Sequence, residues 1–125
     1  VYELKLLDSS NSVIEADYDW VSLQLKSNTS FNESKNTNRP KVDFMSELDG
    51  DLEKNTGLSG YIYNPYLSSS YTYGNIQSSG MDGTNLFGSK NVWRHGSAVQ
   101  INGVRFAPQS PKTINQLEVN MYGVK

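Results

Sequence analysis

The chain lacks cysteine and contains a single histidine, His95. Disulfide bonds and thiolate metal sites are therefore excluded, and the redox compartment stays open. No apolar run approaches the ~20 residues that a membrane-spanning helix needs, and no signal-peptide pattern is present. The eleven Lys and Arg residues are spread along the chain and are nearly balanced by thirteen Asp and Glu. Nucleic-acid binding is not expected because there is no basic cluster, and membrane insertion is not expected because there is no long apolar run.

The composition favours an all-β domain. The 125 residues include 17 Ser, 13 Asn and eight Tyr. Ser and Asn side chains compete for backbone hydrogen bonds, so they disfavour helices and suit a turn-rich β surface. A chain of this length can bury one core, and we expect a single domain over residues 1–125. Because the chain begins with Val1, we expect a processed product or part of a longer protein.

Alternating apolar and polar residues predict about eight strands and no substantial helix. The predicted strands are residues 2–7, 20–26, 41–47, 57–63, 71–79, 99–106 and 116–122, with a short edge strand at 91–94 and a short strand-like segment at 13–15. Residues 27–40 and 80–88 are predicted to be surface loops, because the first is polar without periodicity and the second is rich in Gly. Strands at this spacing indicate an antiparallel β-sandwich, jelly-roll-like in organisation.

The last quarter of the chain is expected to organise the sheets. A bulge at residues 102 and 103 would give its first strand one inward face, formed by Val99, Ile101, Val104 and Phe106. Pro108 and Pro111 lack an N–H and are expected to interrupt the ladder. Residues 116–122 then alternate as a half-buried strand, with Leu117, Val119 and Met121 on one face. We therefore expect a terminal hairpin-like pair around which the other strands close.

No motif indicates catalysis. The nucleophile elbow, the zinc-binding helix motif and the phosphate-binding loop are absent, and His95 is expected in a surface loop. Two acidic pairs, Asp17 with Asp19 and Asp49 with Asp51, have the chemistry for Ca²⁺ or for glycoside hydrolysis. Such close pairs are more typical of turns, and the twelve-residue calcium loop is absent. We therefore expect no enzyme activity, no cofactor and no metal site.

A tyrosine cluster is the candidate binding site. It lies in the segment GYIYNPYLSSSYTYG and comprises Tyr61, Tyr63, Tyr66, Tyr71 and Tyr73. An exposed tyrosine offers a flat ring and a polar tip, which suit stacking on a sugar and bonding its hydroxyls. Alternatively, these rings pair between neighbouring strands or pack between subunits. Trp93, Arg94 and His95 are expected to form a rim site or a subunit contact.

Three stretches resemble the terminal β-sandwich domains of bacteriophage tail fibres and related virion appendage proteins. They are SVIE followed by DYDW at residues 12–20, LSGYIYNP at residues 58–65, and INGVRF with VNMYGVK at residues 101–106 and 119–125. The resemblance implies a jelly-roll-like, non-enzymatic domain of an extracellular particle. It also implies a homotrimer, contact with other virion structural proteins and attachment to a host-surface receptor, for which a glycan is the expected ligand.

Two other functions stay open at this stage. The same sandwich and tyrosines would serve a carbohydrate-binding module of a secreted enzyme. They would also serve a purely structural virion protein, such as a decoration or collar protein, with its tyrosines buried between subunits. Solvent exposure of the tyrosines separates this last hypothesis from the two binding hypotheses.

Overall fold

Eight strands form two antiparallel sheets in the computed structural model, which describes residues 2–44, 56–109, 113 and 116–123, except the Asp82 side chain. The strands are β1 (Tyr2–Asp8), β2 (Tyr18–Lys26), β3 (Phe31–Arg39), β4 (Val42–Phe44), β5 (Gly57–Tyr63), β6 (Thr72–Asp82), β7 (Asn85–His95) and β8 (Ile101–Pro108). The smaller sheet has the order β4-β1-β8, and the larger has the order β3-β2-β7-β6-β5. No described residue is helical. The predicted all-β sandwich is confirmed.

The core lies between the two sheets and is built from alternate residues of each strand. The smaller sheet contributes Leu4, Leu6, Val42, Phe44 and Ile101, and the larger contributes Tyr18, Trp20, Ile76 and Trp93. Because successive side chains of a strand point to opposite faces, each of these strands also turns a second set of residues outward. The smaller sheet covers only the inner face of the larger one, so the outer face of the larger sheet stays open to solvent.

A buried tyrosine hydroxyl joins the two sheets where the smaller sheet narrows. Strand β4 pairs only with residues 2–4 of β1, so the β1 backbone loses this neighbour beyond Leu4. The Tyr18 hydroxyl accepts a hydrogen bond from the Leu6 N–H (2.8 Å) and donates one to the Ile14 carbonyl (3.1 Å). Burial raises the pKa of Tyr18 to about 12, so the phenol keeps the proton that it donates.

The predicted bulge in the last strand is confirmed. Leu7 pairs with Gly103 and Asp8 pairs with Ile101, which leaves Asn102 as the extra residue. A Cβ on Gly103 would lie 3.0 Å from Leu7 Cδ1, so a larger residue there would require a small shift of the Leu7 side chain. The predicted inward face is confirmed as well: Ile101 is buried, and three residues pack against the core, namely Val99, Val104 and Phe106.

The predicted terminal hairpin is wrong in the part that the structure describes. Strand β8 continues through Pro108, which pairs with Tyr2, and β8 is an edge strand of the smaller sheet. Residues 116–123 form no strand, and their apolar side chains line an open groove beside Leu7 and β8. Alternation gives a segment two faces, but it supplies no partner for its backbone groups. Pro111 lies outside the described residues.

Three local predictions are also corrected. Residues 31–39 form β3 instead of a loop, residues 80–88 belong mostly to β6 and β7, and residues 91–94 lie within the central strand of the larger sheet. A two-residue turn joins β6 to β7, with Gly83 at φ 58°. Of residues 13–15, only Val13 pairs, in a single bridge to Leu7. Residues 45–55, which include the Asp49 and Asp51 turn, lie outside the described residues.

Candidate functional site

The outer face of the larger sheet carries most of the exposed apolar side chains in its strands. Residues that pair directly across neighbouring strands lie on the same face of a sheet. On this face, Tyr63 pairs with Tyr73 and Tyr73 with Arg94, while Asn75 pairs with both Tyr61 and Val92. The face is therefore a regular grid that runs from β5 to β3. It divides into a tyrosine half and an aliphatic half.

The tyrosine half, which we call the tyrosine platform, occupies β5, the start of β6 and the neighbouring part of β7. Its members are Tyr61, Tyr63, Tyr71, Tyr73 and Arg94, and the tyrosines are 60, 47, 39 and 42 % exposed in that order. The Tyr61 and Tyr63 rings stack with centroids 6.2 Å apart and planes 20° apart. The Tyr63 hydroxyl accepts a hydrogen bond from Asn75 Nδ2 at 3.2 Å. Tyr61, Tyr63 and Tyr73 lie on neighbouring strands, as the alternative in the sequence analysis expected, whereas Tyr71 precedes β6.

Arg94 borders the platform and is held in place by two contacts. Its Nε and Nη2 atoms each lie 2.8 Å from Asp19 Oδ2, and its guanidinium carbon lies 5.6 Å from the centre of the Tyr71 ring. A hydrogen bond from the Asn38 N–H and then the Arg94 guanidinium lower the pKa of Asp19. The Asp19 carboxylate in turn raises the pKa of Arg94. This arrangement presents a fixed cation beside exposed ring faces.

The aliphatic half was not identified as a site from the sequence. It consists of Val21, Leu23 and Leu25 on β2 and Val92 on β7, which we call the aliphatic patch, and each side chain is 43–53 % exposed. In the sequence, the alternation of the three β2 residues places them on one face of the strand and Trp20 on the other. Alternation alone does not show which of the two faces points inward. The structure turns Trp20 inward and the aliphatic residues outward.

Two of the predicted site residues lie in the core. Trp93 and His95 are each 2 % exposed, so they cannot contact a ligand at the surface, and the predicted rim site is reduced to Arg94. Their strand is central, and alternation turns them inward when it turns Arg94 outward. The His95 ring lies 5.2 Å from the Tyr18 ring, and burial lowers the pKa of His95. The expectation that His95 lies in a surface loop is therefore wrong.

Tyr66 is separate from the platform. It lies in the loop between β5 and β6 and is 72 % exposed. Within the described part of the chain it makes no ring contact with another tyrosine.

The acidic pair near β2 has structural partners. Asp17 Oδ2 accepts a hydrogen bond from Ser97 Oγ (2.5 Å), and the Asp17 carbonyl accepts one from the Gly96 N–H. Asp19 is engaged by Arg94 and Asn38. Among the described residues, no group of three or more His, Asp or Glu side chains is placed to hold a metal ion. The same residues contain no helix of the length and apolarity that crossing a membrane requires.

Comparisons with protein-family models, curated proteins and solved structures find no match for this chain.

Proposed function

We propose that the chain is a non-enzymatic attachment domain whose tyrosine platform binds a glycan. The observation that carries this proposal is the exposure of four tyrosine rings and one fixed guanidinium on the same sheet face. Within a single chain these rings are available to a ligand, which is what both binding hypotheses require. A structural role would need a second surface to cover them.

The chemistry of the platform matches that of a sugar ring. A pyranose has one apolar face of C–H groups and a rim of hydroxyls, so it stacks on a tyrosine ring and hydrogen-bonds at its edge. The Tyr63 hydroxyl accepts from Asn75, which leaves its proton free to donate to a ligand oxygen. Arg94 Nε and Nη2 bind Asp19, and the guanidinium N–H groups that remain beside Tyr71 add donors for ligand oxygens.

The platform lies on an open sheet face, so single-site binding should be weak. Open sites leave much of the ligand in water, and a dissociation constant of roughly 1 mM corresponds to only about 4 kcal/mol. Display of several copies on one particle would raise the avidity. Location on a virion, contact with other virion proteins and assembly as a trimer are predictions that rest on the sequence resemblance alone.

The test is a glycan panel followed by NMR titration of the best ligand. Binding should shift the ring resonances of Tyr61, Tyr63 and Tyr73 first. Tyr61→Ala should weaken binding about fivefold to tenfold, since a stacked ring contributes about 1 kcal/mol. Tyr122→Ala is the matched control, because Tyr122 is also exposed and lies outside the platform. If no glycan binds, or if both variants bind equally well, the proposal is refuted.

A further inference from the structure

The aliphatic patch is flanked on both sides by residues that complement each other across β2. Residues that pair directly across neighbouring strands form a row, and in each row one β2 residue lies between a β3 residue and a β7 residue. Leu23 lies between Glu33 and Lys90, Leu25 lies between Phe31 and Gly88, and Val21 lies between Lys35 and Val92. Across β2, acidic Glu33 is thus opposite basic Lys90, and the Phe31 ring is opposite Gly88, which has no side chain. The long Lys35 side chain is opposite the aliphatic Val92.

From this pattern we infer that the aliphatic patch is the interface for a second copy of the same chain, stacked face to face about a two-fold axis along β2. Such an axis exchanges the two sides of β2, so Glu33 of each copy faces Lys90 of the other. Phe31 of each copy likewise meets the gap above Gly88 of the other. A two-fold interface requires this self-complementarity.

The charges fit this geometry. Glu33, Lys35 and Lys90 are exposed, and no ion pair involving them occurs among the described residues. Stacked sheets lie about 10 Å apart and cross at about 30°. Since strands are about 4.8 Å apart, that crossing moves a residue on a neighbouring strand by only about 2.5 Å from its counterpart. Long Lys and Glu side chains span such an offset.

The contact area sets the expected strength. Three strands of nine residues present about 400 Å² of flat sheet to the partner, so a pair buries roughly 1,000 Å² once side-chain relief is included. This lies at the small end of specific interfaces, and we expect a dissociation constant of roughly 10–100 µM.

The pair leaves the four tyrosines of the tyrosine platform uncovered and reaches the platform only at Arg94, which is on β7. A copy centred on β2 covers β3, β2 and β7, while β5 and β6 lie beyond its edge. Pairing therefore does not depend on the proposed glycan site, and either proposal can fail without the other. It also implies a two-fold assembly in place of the trimer that the sequence resemblance implies.

Sedimentation equilibrium of the chain from about 1 µM to about 1 mM, which brackets that affinity, tests the inference. The expected result is a monomer–dimer equilibrium. Lys90→Glu alone and Glu33→Lys alone should each weaken the dimer about tenfold, because each change places like charges together twice by symmetry. The double variant should restore most of the wild-type affinity.

The control variants change a residue that is in the same row as Lys90 but on a strand outside the interface. Gln77 is exposed on β6 and pairs with Lys90, so Gln77→Lys and Gln77→Glu change the charge on the same face without entering the contact. Both should dimerise like the wild type, whereas Leu23→Lys should be monomeric with unchanged thermal unfolding at low concentration. A monomer at every concentration, a trimeric mass, or a dimer indifferent to Leu23→Lys and to the charge swap would overturn the inference.

Discussion

Gly74 is the position where one added methyl group should damage the fold most clearly. A Cβ at this residue would lie 2.3 Å from Cζ2, 2.4 Å from Cε2 and 2.8 Å from Nε1 of Trp93. Carbon atoms in contact prefer about 3.5–4.0 Å, so the indole would have to retreat by more than about 1 Å. Trp93 is 2 % exposed and belongs to the core cluster, so its indole can retreat only against other core side chains. We expect Gly74→Ala to lower the free energy of unfolding by about 1–3 kcal/mol, the range for an overpacked core.

Urea denaturation followed by tryptophan fluorescence measures this change, with Gly57→Ala as the control in the same sheet. At Gly57 the nearest atom to an added Cβ is 4.0 Å away, so that variant should be neutral or slightly stabilised. Trp93→Phe removes the atoms that the new Cβ meets, so in that background Gly74→Ala should cost at least about 1 kcal/mol less. An equal cost in both backgrounds, or a neutral Gly74→Ala, would refute the steric argument.

Two further predictions concern buried polar groups. Tyr18→Phe should cost about 1–3 kcal/mol by urea denaturation, because it leaves the Leu6 N–H and the Ile14 carbonyl without their partner; an unchanged midpoint would contradict this. Burial lowers the pKa of His95, so the unfolded chain binds that proton more readily. Stability is therefore complete above the unfolded pKa of about 6.5 and falls below it by up to about 1.4 kcal/mol per pH unit, until the folded pKa is reached. His95→Gln should flatten the pH dependence below about pH 6.5, and an identical slope in the two proteins would show that His95 does not titrate on unfolding.

The alternation of apolar and polar residues in the sequence was sufficient to place three of the strands. Strands β1, β2 and β5 lie within two residues of their predicted ends, and the bulge at Asn102 follows from a broken alternation. Strand β3 was not predicted. It is a polar edge strand that is exposed on nearly every residue, so its sequence has no alternation of apolar and polar residues. Its neighbour β2 supplies the ladder that makes it a strand.

The candidate site was predictable in part for the same reason. The tyrosines at positions 61, 63 and 73 recur every second residue on neighbouring strands, and direct pairing of Tyr63 with Tyr73 brings them together. Trp93 and His95 were misplaced because β7 was read as a short edge strand. In an edge strand both faces can reach solvent, whereas β7 is central, and its inward side chains form the core.

The sequence by itself determined an all-β chain with a tyrosine-rich segment and, in β2, two faces of opposite character. It did not determine which face of β2 would be buried, because alternation is the same whichever side is inward. Only the tertiary structure decided this: the smaller sheet packs on the side of Tyr18 and Trp20, whose large rings fill the space between the sheets. That choice leaves Val21, Leu23 and Leu25 on the surface, where a second copy can cover them.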